Sequence, residues 1–108
     1  MTLRFQNTES RTKQEFTPLE PGKVSLYTCG PTIYNFAHIG NFRAYVFEDL
    51  LRRYLEYRGY AVTHIMNLTD VEDKLIRTCR ETGEPLKSVT ARYAAAFFES
   101  VKALGILP

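Results

Sequence analysis

The chain reads as the first half of a doubly wound parallel α/β sheet, preceded by a short N-terminal β-hairpin. Three observations predict this class. Residues 24–29 form a strand-like run that ends at Gly30-Pro31. A long stretch of helical periodicity follows, and then a second strand-like run over residues 61–68. A strand–helix–strand unit of this length implies a parallel pair joined by a right-handed crossover. Two further helical stretches complete the order: hairpin, strand, helix, strand, helix, helix.

Residues 3–16 alternate loosely around Leu3, Phe5 and Phe16, with Asn7-Thr8-Glu9-Ser10 as a turn. Pro18, Pro21 and Gly22 break the chain before the first main strand. A loop is expected over residues 30–39 and a helix over residues 40–58. On that helix Phe47, Leu50, Leu51, Tyr54 and Leu55 recur at helical spacing and are expected to face the core. Glu48, Asp49, Arg52, Arg53 and Glu56 are expected on the solvent side, with Glu48/Arg52 and Asp49/Arg53 paired four apart. Gly59 closes the helix in a left-handed conformation. In the second strand Val62 and Ile65 are the β-branched anchors.

Thr69-Asp70-Val71-Glu72 reads as a capping box that opens the second helix. Val71, Leu75 and Cys79 share a face of that helix, and Gly83 stops it. Pro85 suits the first turn of the third helix, whose apolar stripe is Leu86, Val89, Tyr93, Phe97, Val101 and Leu104. Gly105 ends it. Parallel sheets are normally buried on both faces, so two main strands make an incomplete sheet with an open edge.

A chain of 108 residues suffices for one small domain. Hydrophobic residues are 44% of it, and seven Phe and seven Tyr supply bulk for a core. The net charge of +2 is too small to indicate nucleic-acid binding by itself. No run approaches the roughly 20 apolar residues of a membrane span. Residues 1–20 carry Arg4, Glu9, Arg11, Lys13 and Glu15 without an apolar centre, unlike a secretory signal. Cys29 and Cys79 suggest no disulfide framework. A cytoplasmic protein with free thiols is expected.

The residues that carry chemistry cluster after the first strand. Cys29 stands at the carboxyl end of a strand, where ligands of open α/β sheets bind. It suits a zinc ligand, a nucleophile or a buried small hydrophobe. His38-Ile39-Gly40-Asn41 lies at a helix start, whose unpaired N–H groups and dipole favour anions. His38 and Asn41 both donate to phosphate oxygens in that reading, and Gly40 allows close approach to the backbone. In the plainer reading His38 caps or packs locally. Asp70, Glu72 and Asp73 suit either magnesium or the dipole of the second helix. Cys79 reads as core, and His64 as a packed or hydrogen-bonded histidine. Dinucleotide and P-loop glycine motifs are absent, as is a serine elbow.

Read together, Tyr27-Thr28-Cys29-Gly30-Pro31-Thr32-Ile33-Tyr34, His38-Ile39-Gly40-Asn41 with Arg43, and Asn67-Leu68-Thr69-Asp70-Val71-Glu72-Asp73-Lys74 resemble the cysteinyl-tRNA synthetase family, class I aminoacyl-tRNA synthetases. Phe5-Gln6-Asn7-Thr8 and Lys13-Gln14-Glu15-Phe16-Thr17-Pro18 match its N-terminus, so the resemblance covers essentially the whole chain. It implies that residues 1–108 are the N-terminal portion of a Rossmann-like catalytic domain. It further implies joining of cysteine to ATP, held with Mg2+, and transfer of cysteine to tRNA(Cys). Cys29 becomes one of four zinc ligands, selecting cysteine over serine because a thiolate binds zinc and a hydroxyl does not compete. His38 and Asn41 become catalytic, on the ATP phosphates. Gly30, Pro31, Thr32 and Gly40 join them in binding ATP, and Thr69 and Asp70 lie near the amino-acid pocket with Cys29.

Asn41 stands where that signature most often has a second histidine, and Glu72 where the family usually has Asp. A Lys-Met-Ser-Lys-Ser loop, the other zinc ligands and a tRNA-binding helical domain are not among these residues. The partner implied is therefore the C-terminal half of the catalytic domain, and the isolated chain is expected neither to hold zinc tightly nor to activate cysteine. Two alternatives stand beside this: a cysteine ligase acting on an amino-sugar, as in mycothiol synthesis, and a non-catalytic nucleotide-binding or structural fragment.

Overall fold

In the computed structural model, residues 2–33, 35–70 and 72–108 are described. Tyr34 of the first motif and Val71, expected on the inner face of the second helix, lie outside them. The elements run β1 (Arg4–Asn7), β2 (Thr12–Glu15), β3 (Lys23–Thr28), α1 (Ile39–Tyr57), β4 (Ala61–Met66), α2 (Asp73–Thr82) and α3 (Leu86–Ala103).

Strands β1 and β2 pair antiparallel from Arg4↔Glu15 to Asn7↔Thr12, forming the expected hairpin. Asn7 shapes its turn: its Oδ1 accepts from the Glu9 N–H at 3.0 Å, and its Nδ2 donates to Gln14 at 2.9 Å. Edge-on aromatic contacts from Phe5 to Phe16 and from Phe16 to Tyr60 tie this hairpin to the start of β4.

Strands β3 and β4 pair in parallel, Lys23↔Ala61 through Thr28↔Met66. Their alternation is regular. Val24, Leu26 and Thr28, with Val62, His64 and Met66, turn toward α1; Tyr27 and Ile65 stand opposite each other on the other face, 69% and 57% exposed. Gly59, at φ +94°, makes the left-handed exit from α1 into β4. Among the described residues, the expected doubly wound sheet is present only as this parallel pair. The hairpin forms a separate two-stranded sheet. The Cα radius of gyration is 17.0 Å, against about 13 Å for a compact domain of this length.

Helix α1 departs from its predicted orientation. Tyr45, Asp49 and Leu55 are buried, whereas Phe47 and Leu50 are 56% and 62% exposed. The tail after α3 explains Asp49. Leu107 N–H donates to Asp49 Oδ1 at 2.9 Å, Arg53 Nη2 to the Gly105 carbonyl at 2.6 Å, and Arg52 Nη1 to the Pro108 carbonyl at 2.8 Å. Asp49 Oδ2 takes Arg53 Nε at 2.7 Å, the predicted pair, so both carboxylate oxygens are satisfied on burial. The predicted Glu48/Arg52 pair is replaced by Arg52–Glu56 at 3.3 Å. Stacked and edge-on rings of Phe42, Tyr45 and Phe97 join α1 to α3.

The capping box predicted over residues 69–72 is not formed. Helix α2 begins at Asp73 with Glu72 as an N-cap that makes no side-chain cap bond. Thr69 instead extends the parallel ladder, donating its N–H to the Pro31 carbonyl and accepting from the Ile33 N–H, both at 3.0 Å. Backbone pairing of the strand thus outcompetes the local cap. Leu75, Val89 and Phe97 are buried as expected, and Gly83 and Gly105 end their helices in the left-handed region.

Candidate functional site

Beyond the carboxyl ends of β3 and β4 lies a cavity of about 330 Å³. Three segments wall it. Gly30, Pro31 and Thr32 come from the loop after β3, His38 and Asn41 from the start of α1, and Glu72 and Lys74 from the start of α2. Tyr45, Phe36 and two neighbouring loop residues complete it. A larger hollow of about 510 Å³ lies at the opposite strand ends. Its charged residues, Glu20 and Lys23, pair with each other at 3.5 Å.

The start of α1 carries a capping box. His38 is the N-cap; its Nδ1 accepts from the Gly40 N–H at 3.0 Å, and its own N–H donates to Asn41 Oδ1 at 3.1 Å. Two consequences follow. In the neutral ring, an accepting Nδ1 puts the proton on Nε2, leaving Nε2–H as donor. With Oδ1 engaged, the Asn41 amide presents Nδ2 as its donor. The box thus leaves two side-chain donors at the positive end of the helix dipole, an arrangement whose chemistry suits an anion.

Gly40 serves that arrangement directly. A Cβ there would lie 2.9 Å from His38 Cε1, so the imidazole occupies the space expected to admit a ligand. Gly30 is required by another close approach: a Cβ on it would run into the Asn67 carbonyl and Met66 Cγ.

Cys29 is exposed, a surface thiol and not a buried hydrophobe. It stands outside the cavity lining, but its charge raises the Tyr45 phenol after burial and together with Glu48, so the two groups are electrostatic neighbours. Burial also pushes the Glu48 carboxyl up, and Glu48 Oε2 is buried without a hydrogen-bond partner among the described residues. Beneath it Thr28 Oγ1 shares a 2.8 Å hydrogen bond with His64 Nε2, in line with the packed-histidine expectation.

Thr69 and Asp70 do not line the cavity; Thr69 is engaged through its backbone and Asp70 is exposed. No group of three His, Cys, Asp or Glu gathers among the described residues, so these side chains do not by themselves fit zinc, which takes about four donors. Tyr45, Glu72 and Lys74 were not singled out from sequence as lining residues. Asn67, quoted only as part of a motif, proves to bond on both sides of Cys29. Its signal was its place at the end of a parallel strand, where a short amide meets the neighbouring turn.

Comparison with known proteins identifies the family. Residues 15–108 match the family model of the tRNA synthetases class I (C) catalytic domain. The chain is 54% identical over 104 residues to a cysteine–tRNA ligase of Geobacillus thermodenitrificans, covering 96% of this chain and 22% of that protein. It is 52% identical over 105 residues to the cysteine–tRNA ligase of Bacillus pumilus, with 97% and 22% covered. A third, from Anoxybacillus flavithermus, is 50% identical over 105 residues, with 97% and 23% covered. The chain therefore spans about a fifth of the length of these curated relatives.

Proposed function

The chain belongs to the family of class I (C) tRNA synthetase catalytic domains, and on that premise we propose that it is the nucleotide-binding first part of a cysteine–tRNA ligase. The observation that carries this reading is the His38–Asn41 box at the wall of the 330 Å³ cavity. Two preset donors at a helix N-terminus suit a triphosphate, held with Mg2+ as substrate.

In the proposed reaction a cysteine carboxylate oxygen attacks the α-phosphorus of ATP. Pyrophosphate leaves and cysteinyl-adenylate forms; the 3′-terminal hydroxyl of tRNA(Cys) then takes the cysteinyl group and AMP leaves. His38 Nε2–H and Asn41 Nδ2 hold phosphate oxygens and offset the charge that gathers on them. Asn41 does so without a positive charge of its own. Gly30, Pro31 and Thr32 shape the wall beside the nucleotide, with Gly40 under the imidazole. Thr69 and Asp70 are proposed at the amino-acid side, held from the adjoining ladder. Cys29 is proposed as one donor of a zinc site whose other donors lie outside residues 1–108, and such a metal supplies selectivity for a thiolate. No step here runs through it.

The names of the similar proteins favour tRNA over an amino-sugar as the acceptor. No described helix is long and apolar enough to cross a membrane, and the cytoplasm is the proposed location. Titration of the 108-residue chain with ATP, followed by NMR, tests the reading. Saturable shifts are expected at His38, Asn41 and Tyr45, weakened about tenfold or more by His38→Ala. Absence of saturable binding overturns the nucleotide site. Cysteine-dependent ATP–pyrophosphate exchange is expected to be absent from this polypeptide by itself.

A further inference from the structure

The path of the chain around Cys29 is irregular. Between the pairs Thr28↔Met66 and Thr32↔Thr69, the β3 side advances four residues and the β4 side three. The extra residue behaves as a bulge does: it interrupts the ladder and re-aims the side chain beside it. Cys29 sits in this gap, exposed.

One residue on the facing strand fills the gap. The Asn67 N–H donates to the Thr28 carbonyl at 3.2 Å, just before Cys29. Asn67 Oδ1 accepts the Gly30 N–H at 2.8 Å, just after it. The remaining amide group, Nδ2, donates to the Tyr27 hydroxyl at 3.1 Å. Backbone N–H groups only donate, so the Gly30 bond fixes which way the amide points. Contact is close enough that any Cβ on Gly30 would strike the Asn67 carbonyl.

We propose that Asn67 is a positioning residue that sets the direction in which Cys29 leaves the sheet. Its meaning for catalysis rests on the role proposed for Cys29 above; its geometry does not. Asn is suited to the task because it is short enough to stay in the gap, and it carries both an acceptor for Gly30 and a donor for Tyr27. An aspartate keeps the first and loses the second. Alanine loses both while leaving the Asn67 backbone bond to Thr28.

The test uses the 108-residue chain with Cys79→Ser, so that Cys29 is its single thiol. Two readouts are taken: the rate of Cys29 alkylation by iodoacetamide at fixed pH, and hydrogen exchange of the Gly30 amide by NMR. Asn67→Ala is expected to change the alkylation rate by about threefold or more and to speed Gly30 exchange on the order of tenfold. Asn67→Asp is expected to restore Gly30 protection, which a general loss of stability would not allow. Tyr27→Phe keeps both flanking bonds and should leave alkylation within about twofold. An Asn67→Ala chain with freed Gly30 amide but unchanged alkylation overturns the proposal. If that variant does not fold, a parent chain whose Gly30 amide exchanges like an open loop overturns it equally. Neither readout needs ATP, cysteine or metal, so a failed nucleotide titration and a failed clamp are separate results.

Discussion

The Gly40 N–H donates to His38 Nδ1 at 3.0 Å, so the glycine of the helix start and the imidazole before it form one unit. The ring folds over its own helix end because nothing stands on the glycine Cα. That relationship converts a loop histidine into an oriented donor at the cavity wall.

Gly40→Ala separates helix propensity from site geometry. Alanine favours helix by up to about 1 kcal/mol relative to glycine, but its Cβ meets His38 Cε1 at 2.9 Å and displaces the ring. The expected outcome is a folded chain of near-parent thermal stability with ATP affinity weakened about tenfold. Circular dichroism and an ATP titration read the two effects; unchanged affinity would show that the ring orientation is irrelevant to binding.

Asp49→Ala is expected to destabilise the chain by about 2–4 kcal/mol, because Leu107 N–H and Arg53 both lose an acceptor in a part-buried setting. The measurement is the urea midpoint at constant slope. Asp49→Asn retains an acceptor and should cost less. Equal midpoints for alanine variant and parent would mean that the tail is held by Arg52 and Arg53 alone.

His64 links stability to pH. Burial first, and Arg52 next, lower its pKa from the ordinary 6.5, opposed by Asp49. The folded state therefore prefers the neutral ring. Stability is complete above 6.5 and declines as pH falls from there through the lowered folded value. A melting-temperature series across that window should slope for the parent and flatten for His64→Gln.

Glu48 acts with the opposite sign. Its carboxyl is raised from 4.5, chiefly by burial, so its contribution is present below 4.5 and is lost as pH rises through the folded value. Glu48→Gln removes the buried charge and is expected to raise the urea midpoint at neutral pH. A lower midpoint at neutral pH would show that the carboxylate is held by a bond that outweighs its burial.

Gly30→Ala is expected to cost about 1–3 kcal/mol or more, because the strand ends must part to admit the methyl group. The same variant should disturb the Cys29 amide and Cβ resonances. Parent-like stability would mean that the turn after β3 opens freely.

Sequence alone determined the order and kind of elements: the hairpin, the parallel pair, and the helix ends at Gly59, Gly83 and Gly105. These are local properties. Side-chain period, left-handed turns and strand-like runs are set by residues within a few positions of one another. What tertiary structure decided depends on distant partners. Apolar spacing gave α1 an inner face of Phe47 and Leu50, but residues 105–108 and Phe97 turned Asp49 and Tyr45 inward instead. The capping box expected over residues 69–72 gave way when Thr69 joined the ladder opposite Pro31 and Ile33, and the box that does form, between His38 and Asn41, was expected only as a local cap at His38. The bonds from Asn67 to Thr28 and Gly30, on either side of Cys29, were likewise invisible, because they cross the gap between two strands and have no period that a sequence can display.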